Sequence, residues 1–129
     1  MSAGLTVVVA GDDLLFSTRI AAALTRYGHR PVRAESLPAF EAALRAGPDA
    51  VILNLASWTL DATAAIRRTK GTPGIRPVPL LGFCGHADTR RQVAARAAGC
   101  DLVATNGEVT SSLQRLLTEL LPESATPGG

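Results

Sequence analysis

Short apolar runs alternate with amphipathic stretches five times along this chain. Leu5–Ala10 is rich in Val and stops at Gly11-Asp12-Asp13. A run that is apolar at every position predicts a strand covered on both faces, the mark of a parallel sheet between layers of helices. Phe16, Ile20, Leu24 and Tyr27 then recur at helical spacing, and Gly28 supplies the C-terminal cap. Residues 31–34 predict a second strand at a sheet edge, because Pro31 has no N–H to give a neighbour. Ser36 is placed to cap a helix with Pro38 in its first turn, Phe40 and Leu44 facing inward and Gly47 closing it.

Asp49–Leu55 predicts the third strand. The stretch Asp61–Lys70 offers only a thin apolar face, mainly Leu60 and Ile66, and predicts an irregular or poorly packed helix. A turn-rich loop over 71–77 leads to a fourth strand at Val78–Phe83. Asp88 caps a helix through Ala98, ended by Gly99, and Asp101–Thr105 is a short fifth strand. Val109, Leu113, Leu116, Leu117 and Leu120 form the clearest amphipathic stripe in the chain, a helix face expected in the core. Residues 122–129 are a polar, Pro- and Gly-containing stretch expected to be a flexible tail after a single domain spanning 1–121.

Five strand–helix units joined by right-handed crossovers give an α/β fold, an open five-stranded parallel sheet with helices on both faces; if its order is 2-1-3-4-5, the switch point lies between the first and third strands. In such a sheet ligands bind beyond the carboxyl ends of the strands where the order reverses, here between the first and third strands. Asp12 and Asp13 follow the first strand and Asn54 ends the third, so this crevice is the place to look for chemistry.

Composition narrows the classes. With 47% hydrophobic and 19% charged residues over 129 positions, the chain has the balance of one globular domain. A formal net charge of +2, without a run of five like charges, calls for neither a nucleic-acid nor a membrane partner. No apolar stretch has the length of a membrane span or the pattern of a signal peptide, so a cytoplasmic location is expected. Cys84 and Cys100 form no CxxC pair and supply too few ligands for zinc; reduced thiols are expected.

The segments Gly11-Asp12-Asp13, Pro48-Asp49 through Asn54-Leu55, Val78-Pro79 through Cys84-Gly85-His86-Ala87 and Ala97-Ala98-Gly99-Cys100-Asp101 stand in order along residues 5 to 121. Together they resemble the receiver domains of two-component response regulators, which have a flavodoxin-like (βα)5 fold. The resemblance implies a Mg²⁺-holding acidic pair at Asp12 and Asp13. It places Asn54 where the phosphoacceptor Asp should be, Cys84 where a Thr or Ser should be, and Asn106 where a Lys should be. Gly107 replaces the Pro that usually follows that Lys, Val103 the aromatic switch residue, and Trp58 a Pro in the loop after the third strand. The implied protein is thus a degenerate pseudo-receiver, a module for phosphorylation-independent protein contacts and not an enzyme.

The chemistry of the replacements agrees. A carboxamide is neutral and poorly nucleophilic, a thiol is a weak donor, and no cation at position 106 would neutralise a phosphoryl group. Asp12 and Asp13 allow at most a weak Mg²⁺ site; the competing reading is that one of them simply caps the first helix. Cys84 as a redox sensor is disfavoured by the two nearby acids, and Cys100 is read as a small buried filler. His86 is either solvated or paired with Asp12 or Asp13, and Trp58 either covers the crevice or marks a contact surface.

Receivers usually signal through the face of the fourth helix, fifth strand and fifth helix. Here that face carries Arg90, Arg91, Arg96, Asp101, Gln114, Arg115 and Glu119, each of which is equally readable as part of a solvated charged surface. The expected partner is another protein, with homodimerisation left open. Two other functions compete: a flavodoxin-like small-ligand-binding domain, and a receiver phosphorylated on another acid such as Asp61. Against the first, Gly11-Asp12-Asp13-Leu14 is no glycine-rich phosphate loop and would repel phosphate.

Overall fold

The computed structural model describes residues 4–74 and 76–121, so the expected tail over 122–129 lies outside the described residues. Five strands alternate with helices: β1 (Thr6–Ala10), α1 (Leu14–Arg26), β2 (Arg30–Ala34), α2 (Leu37–Arg45), β3 (Ala50–Asn54), α3 (Ala62–Gly71), β4 (Leu80–Cys84), α4 (Thr89–Ala98), β5 (Leu102–Thr105), α5 (Asn106–Ser111) and α6 (Leu113–Leu120). The sheet is parallel throughout, in the order β2-β1-β3-β4-β5. This is the expected doubly wound fold, with Pro31 on the edge strand β2.

Alternation along the strands sends side chains into two cores. Val8, Ala10, Val51, Leu53, Leu80 and Cys84 pack with Phe40, Leu44, Ile66 and Ala95 of α2, α3 and α4. Val7, Val9, Ile52, Leu81 and Phe83 pack with Ile20, Leu24, Leu113, Leu116 and Leu117 on the other face. Phe40 is wholly buried, which contributes roughly 1.5–3 kcal/mol. Tyr27, placed in the first helix's apolar set by spacing, is instead its C-cap and is exposed.

Two expectations are overturned. The third helix is regular and well packed. Asp61 caps it through the Ala64 N–H, and Ala65, Ile66 and Thr69 are all buried. Its face is thin because the residues opposite it on α4 are small, and Thr69 returns its hydroxyl to the Ala65 carbonyl, so no polar atom is stranded. The last helix, expected to be continuous from Val109 to Leu120, breaks at Ser112, whose φ and ψ are −134° and 34°. Thr110 and Ser111 donate their hydroxyls to the carbonyls of Asn106 and Gly107, a back-bonding that bends helices. The apolar stripe survives the break, with Val109, Leu113, Leu116 and Leu117 buried.

Two aspartates fix strand ends by the same device. Asp49, just before β3, donates its N–H to the Thr6 carbonyl and accepts the Thr6 N–H on its carboxylate, both at 2.8 Å. Asp101, just before β5, donates its N–H to the Leu80 carbonyl at 3.0 Å and accepts the Leu80 N–H at 2.8 Å. Each closes a ring across neighbouring strands where the ladder would otherwise fray. The Asp101 carboxylate also pairs with Lys70, which donates to the Val78 carbonyl, tying α3 to the entry of β4.

Candidate functional site

The carboxyl ends of β1, β3, β4 and β5 enclose a cleft of about 310 Å³, lined by Asp12, Asp13, Phe16, Asn54, Ala56, Trp58, Cys84, Gly85 and Asn106. The fold thus brings together the residues that the sequence placed at the strand ends. A larger depression, about 580 Å³, lies at the opposite end between Arg45, Pro48, Gly74 and Arg76. Among the described residues it is lined by no acid, thiol or hydroxyl, so the convergent polar chemistry belongs to the smaller cleft.

The two acids divide their work. Asp13 is the N-cap of α1: one carboxylate oxygen accepts the N–H groups of Leu15 and Phe16, at 3.0 and 3.2 Å. Asp12 turns to the loop between β3 and α3, accepting the Ser57 hydroxyl at 2.9 Å and the Trp58 N–H at 3.2 Å. Partial burial alone would raise the Asp12 pKa, but the Ser57 hydroxyl and the loop amides outweigh it and hold the carboxyl below its usual range. Both carboxylates therefore have protein partners, and the capping reading holds for Asp13. Among the described residues, no cluster of three or more His, Cys, Asp and Glu side chains is arranged to hold a metal ion.

Asn54 ends β3 with only 8% of its surface exposed. Its Oδ1 accepts the Ala56 N–H at 2.9 Å, which fixes the orientation of the amide. The Nδ2 donor makes no hydrogen bond within the described residues and is reached by solvent, so no buried polar atom is stranded here. Gly11 packs so closely on it that a Cβ there would lie 2.8 Å from the Asn54 Cβ; the positive φ of Gly11, 139°, is a further demand only glycine meets easily. Phe16 floors the cleft against Phe83, ring centroids 5.6 Å apart.

Cys84 is buried, its thiol 3.8 Å from the Asp88 carbonyl oxygen. Burial, followed by the negative charge of Asp88, pushes its pKa up, and burial does the same for Cys100. Both shifts disfavour the thiolate, the reactive form of cysteine. Cys100 is only half-buried, beside Gly82 and Leu80. His86 is exposed and its side chain bonds to neither Asp12 nor Asp13. Trp58 is 95% exposed, a lip to the cleft and not a cover. Asp61 caps α3 and lines a separate groove between α3 and α4, away from this cleft.

The surface residues singled out by spacing are all exposed, but most are engaged. Arg91 pairs with Asp88 at 2.6 Å, and Arg115 pairs with Glu119 and lies 3.7 Å from Glu108. Gln114 meets the His29 ring at 3.2 Å, and Asp101 clamps Leu80. Arg90 and Arg96 make no ion pair among the described residues. The His29 contacts carry no signal in the sequence: Nδ1 accepts the Leu5 N–H at 3.1 Å, pinning the start of β1 to the turn before β2.

This is an open, doubly wound α/β fold with the cleft at the switch point of the strand order. Solved structures agree. The chemotaxis response regulator CheY4 of Vibrio cholerae superposes with a TM-score of 0.80 at 14% identity, covering 92% of this chain and all of that one. The receiver domain of the sensor histidine kinase PA1611 from Pseudomonas aeruginosa PAO1, with a magnesium ion coordinated in its active-site cleft, gives 0.80 at 21% identity over 92% of this chain and 98% of that one. The beryllofluoride-activated NtrC4 receiver domain dimer gives 0.69 at 20% identity over 89% and 92%. The chain has the CheY-like receiver fold. No protein-family model matches the sequence, and no curated protein does. Among the described residues, no helix is long and apolar enough to cross a membrane.

Proposed function

We propose that this chain is a pseudo-receiver: a non-catalytic cytoplasmic signalling module that works through protein contacts without accepting a phosphoryl group. The observation that carries the reading is Asn54. It sits at the carboxyl end of β3 in the switch-point cleft, with its oxygen already bound to the Ala56 N–H. A neutral amide so held offers no nucleophile for phosphoryl transfer. Cys84 replaces a strong donor with a weak one, and Asn106 leaves a transferred phosphoryl group without a cation. Mg²⁺, which the kinase receiver PA1611 holds in its cleft, is bound weakly at most here, because both acids have protein partners and the third carboxylate is missing.

The contact surface is the face of α4, β5 and the following helices. Within it, Arg90 and Arg96 are the charges left free, and Val93 between them is 63% exposed. The partner is another protein; the dimer of the NtrC4 receiver makes a homodimer the alternative to test.

The deciding experiment is intact-mass spectrometry after incubation with Mg²⁺ and acetyl phosphate. The wild-type chain is expected to carry no adduct. Asn54→Asp alone regains a nucleophile but leaves the transferred charge without its cation, so it is a poor acceptor. Asn54→Asp, Cys84→Thr and Asn106→Lys together give a hydroxylamine-labile adduct. A labile adduct on wild type, mapped to Asp12, Asp13 or Asp61, overturns the reading.

A further inference from the structure

The depression at the amino ends of the strands, about 580 Å³, is bounded by the end of α2 and the loop that leads into β4. Its size falls within the roughly 300–1,000 Å³ of small-molecule sites. Leu44, Pro48 and Val78, all buried, close its floor. Gly47 and Gly74 stand at its sides, and a Cβ on either would meet no atom within 4 Å, so the described residues leave the space open. Arg45 and Arg76 supply its charge. Both are exposed, and neither has an ion-pair partner among the described residues. The acids nearest Arg45 along the chain are engaged elsewhere: Glu41 pairs with Arg68, and Asp49 accepts the Thr6 N–H. Two guanidiniums on separate elements, over an apolar floor, are the chemistry for an oxyanion. A guanidinium is planar, keeps its charge at any pH the fold meets, and offers paired N–H donors that match the oxygens of a carboxylate or phosphate.

We propose that this depression binds a small organic anion, its phosphate or carboxylate group held by Arg45 and Arg76 and its apolar body laid on Leu44, Pro48 and Val78. A cation would meet two like charges with no lining acid to offset them, and an uncharged ligand would gain nothing from either guanidinium. The two arginines are unequal. Arg45 stands in the last turn of α2, whose end sets about half a negative charge beside it. Arg76 lies in the loop, outside any helix, and keeps its full pull on an anion. An occupied site ties the end of α2 to the entry of β4, at the pole opposite Asn54. It goes beyond the pseudo-receiver reading and does not depend on it.

The probes are phenyl phosphate, benzoate, inorganic phosphate and benzyl alcohol, titrated into the full ¹⁵N-labelled chain. At least one of the two aromatic anions should give saturable shifts of the Arg45, Gly47, Arg76 and Val78 amides, with Trp58 at the other pole unmoved; the tighter of the two names the head group. Arg76→Gln should weaken that binding about tenfold, and Arg45→Gln about threefold. Both side chains are exposed, so both variants fold, which circular dichroism checks. Benzyl alcohol should not saturate. Equal binding of inorganic phosphate and phenyl phosphate means an adventitious ion only and overturns the proposal. So do benzyl alcohol binding as tight as that of the anions, an affinity unchanged in Arg76→Gln, and shifts centred on Asp12, Asp13 and Asn54. A glutamate decapeptide that binds more tightly than either aromatic anion gives the surface to an acidic protein segment and overturns it too. Failure of both anions to saturate at millimolar concentration does the same.

Discussion

Replacing Asp101 with Ala tests whether this residue is part of a contact surface or part of the frame. The substitution removes the acceptor of the Leu80 N–H, at 2.8 Å, and the partner of Lys70. Leu80 is fully buried at the first position of β4, so its orphaned N–H costs about 1–3 kcal/mol. The ion pair is partly exposed, with side-chain exposures of 25% for Lys70 and 43% for Asp101, and adds at most about 1 kcal/mol. The expected loss is about 2 kcal/mol. At an unfolding entropy of about 2.1 cal/mol/K per residue, a chain of 129 residues loses about 0.27 kcal/mol per degree. The Tm should therefore fall by about 7 °C. Asp101→Asn keeps an oxygen for Leu80 and gives up only the charge, so it should fall by less than half as much. Circular dichroism melting of the three proteins measures both. A Tm for Asp101→Ala within about 1 °C of wild type would refute the clamp and return Asp101 to the contact surface.

Breaking the Asp12 clasp with Asp12→Ala should cost about 1 kcal/mol at neutral pH, the value of its bonds discounted for partial exposure. Because the folded-state pKa of Asp12 lies below the unfolded one, this contribution is complete above about pH 5. It shrinks as the pH falls through the lowered pKa; denaturant titrations of both proteins across that window should converge toward acid. Gly11→Ala should cost roughly 1–3 kcal/mol, since its Cβ would press on Asn54 from a positive φ, and a loss under about 0.5 kcal/mol in urea unfolding would contradict that close approach. Titration with Mg²⁺, followed by Trp58 fluorescence, should show saturation no tighter than the millimolar range. Saturation below that range, lost in Asp13→Ala, would make the acidic pair a working metal site.

What the sequence determined by itself was whatever is local or periodic. Apolar runs placed the strands, more weakly at β2 where Arg33 interrupts the run, and Ser36 and Asp88 stood as caps because a cap is read within one turn of its own residue. Right-handed crossovers between parallel strands predicted the open sheet, and the order 2-1-3-4-5 that the structure has puts Asp12, Asp13 and Asn54 at one switch point. Periodicity failed where a different force acted along the same stretch. The stripe from Val109 to Leu120 has one apolar face whether or not the helix is broken, so it was blind to the hydroxyls of Thr110 and Ser111 that bend the backbone. A thin apolar face predicted a poor α3, but whether a face is thin or well matched depends on the size of the residues across from it, and those lie on another helix. Only tertiary structure decided how similar residues divide their roles. Asp13 caps its own helix while Asp12 reaches 45 residues along the chain to Ser57, and Asp101 reaches back 21 to Leu80. Such pairings carry no periodic signal; they exist because the sheet sets distant strand ends and loops within hydrogen-bond reach, where a carboxylate binds the nearest N–H or hydroxyl left without a partner.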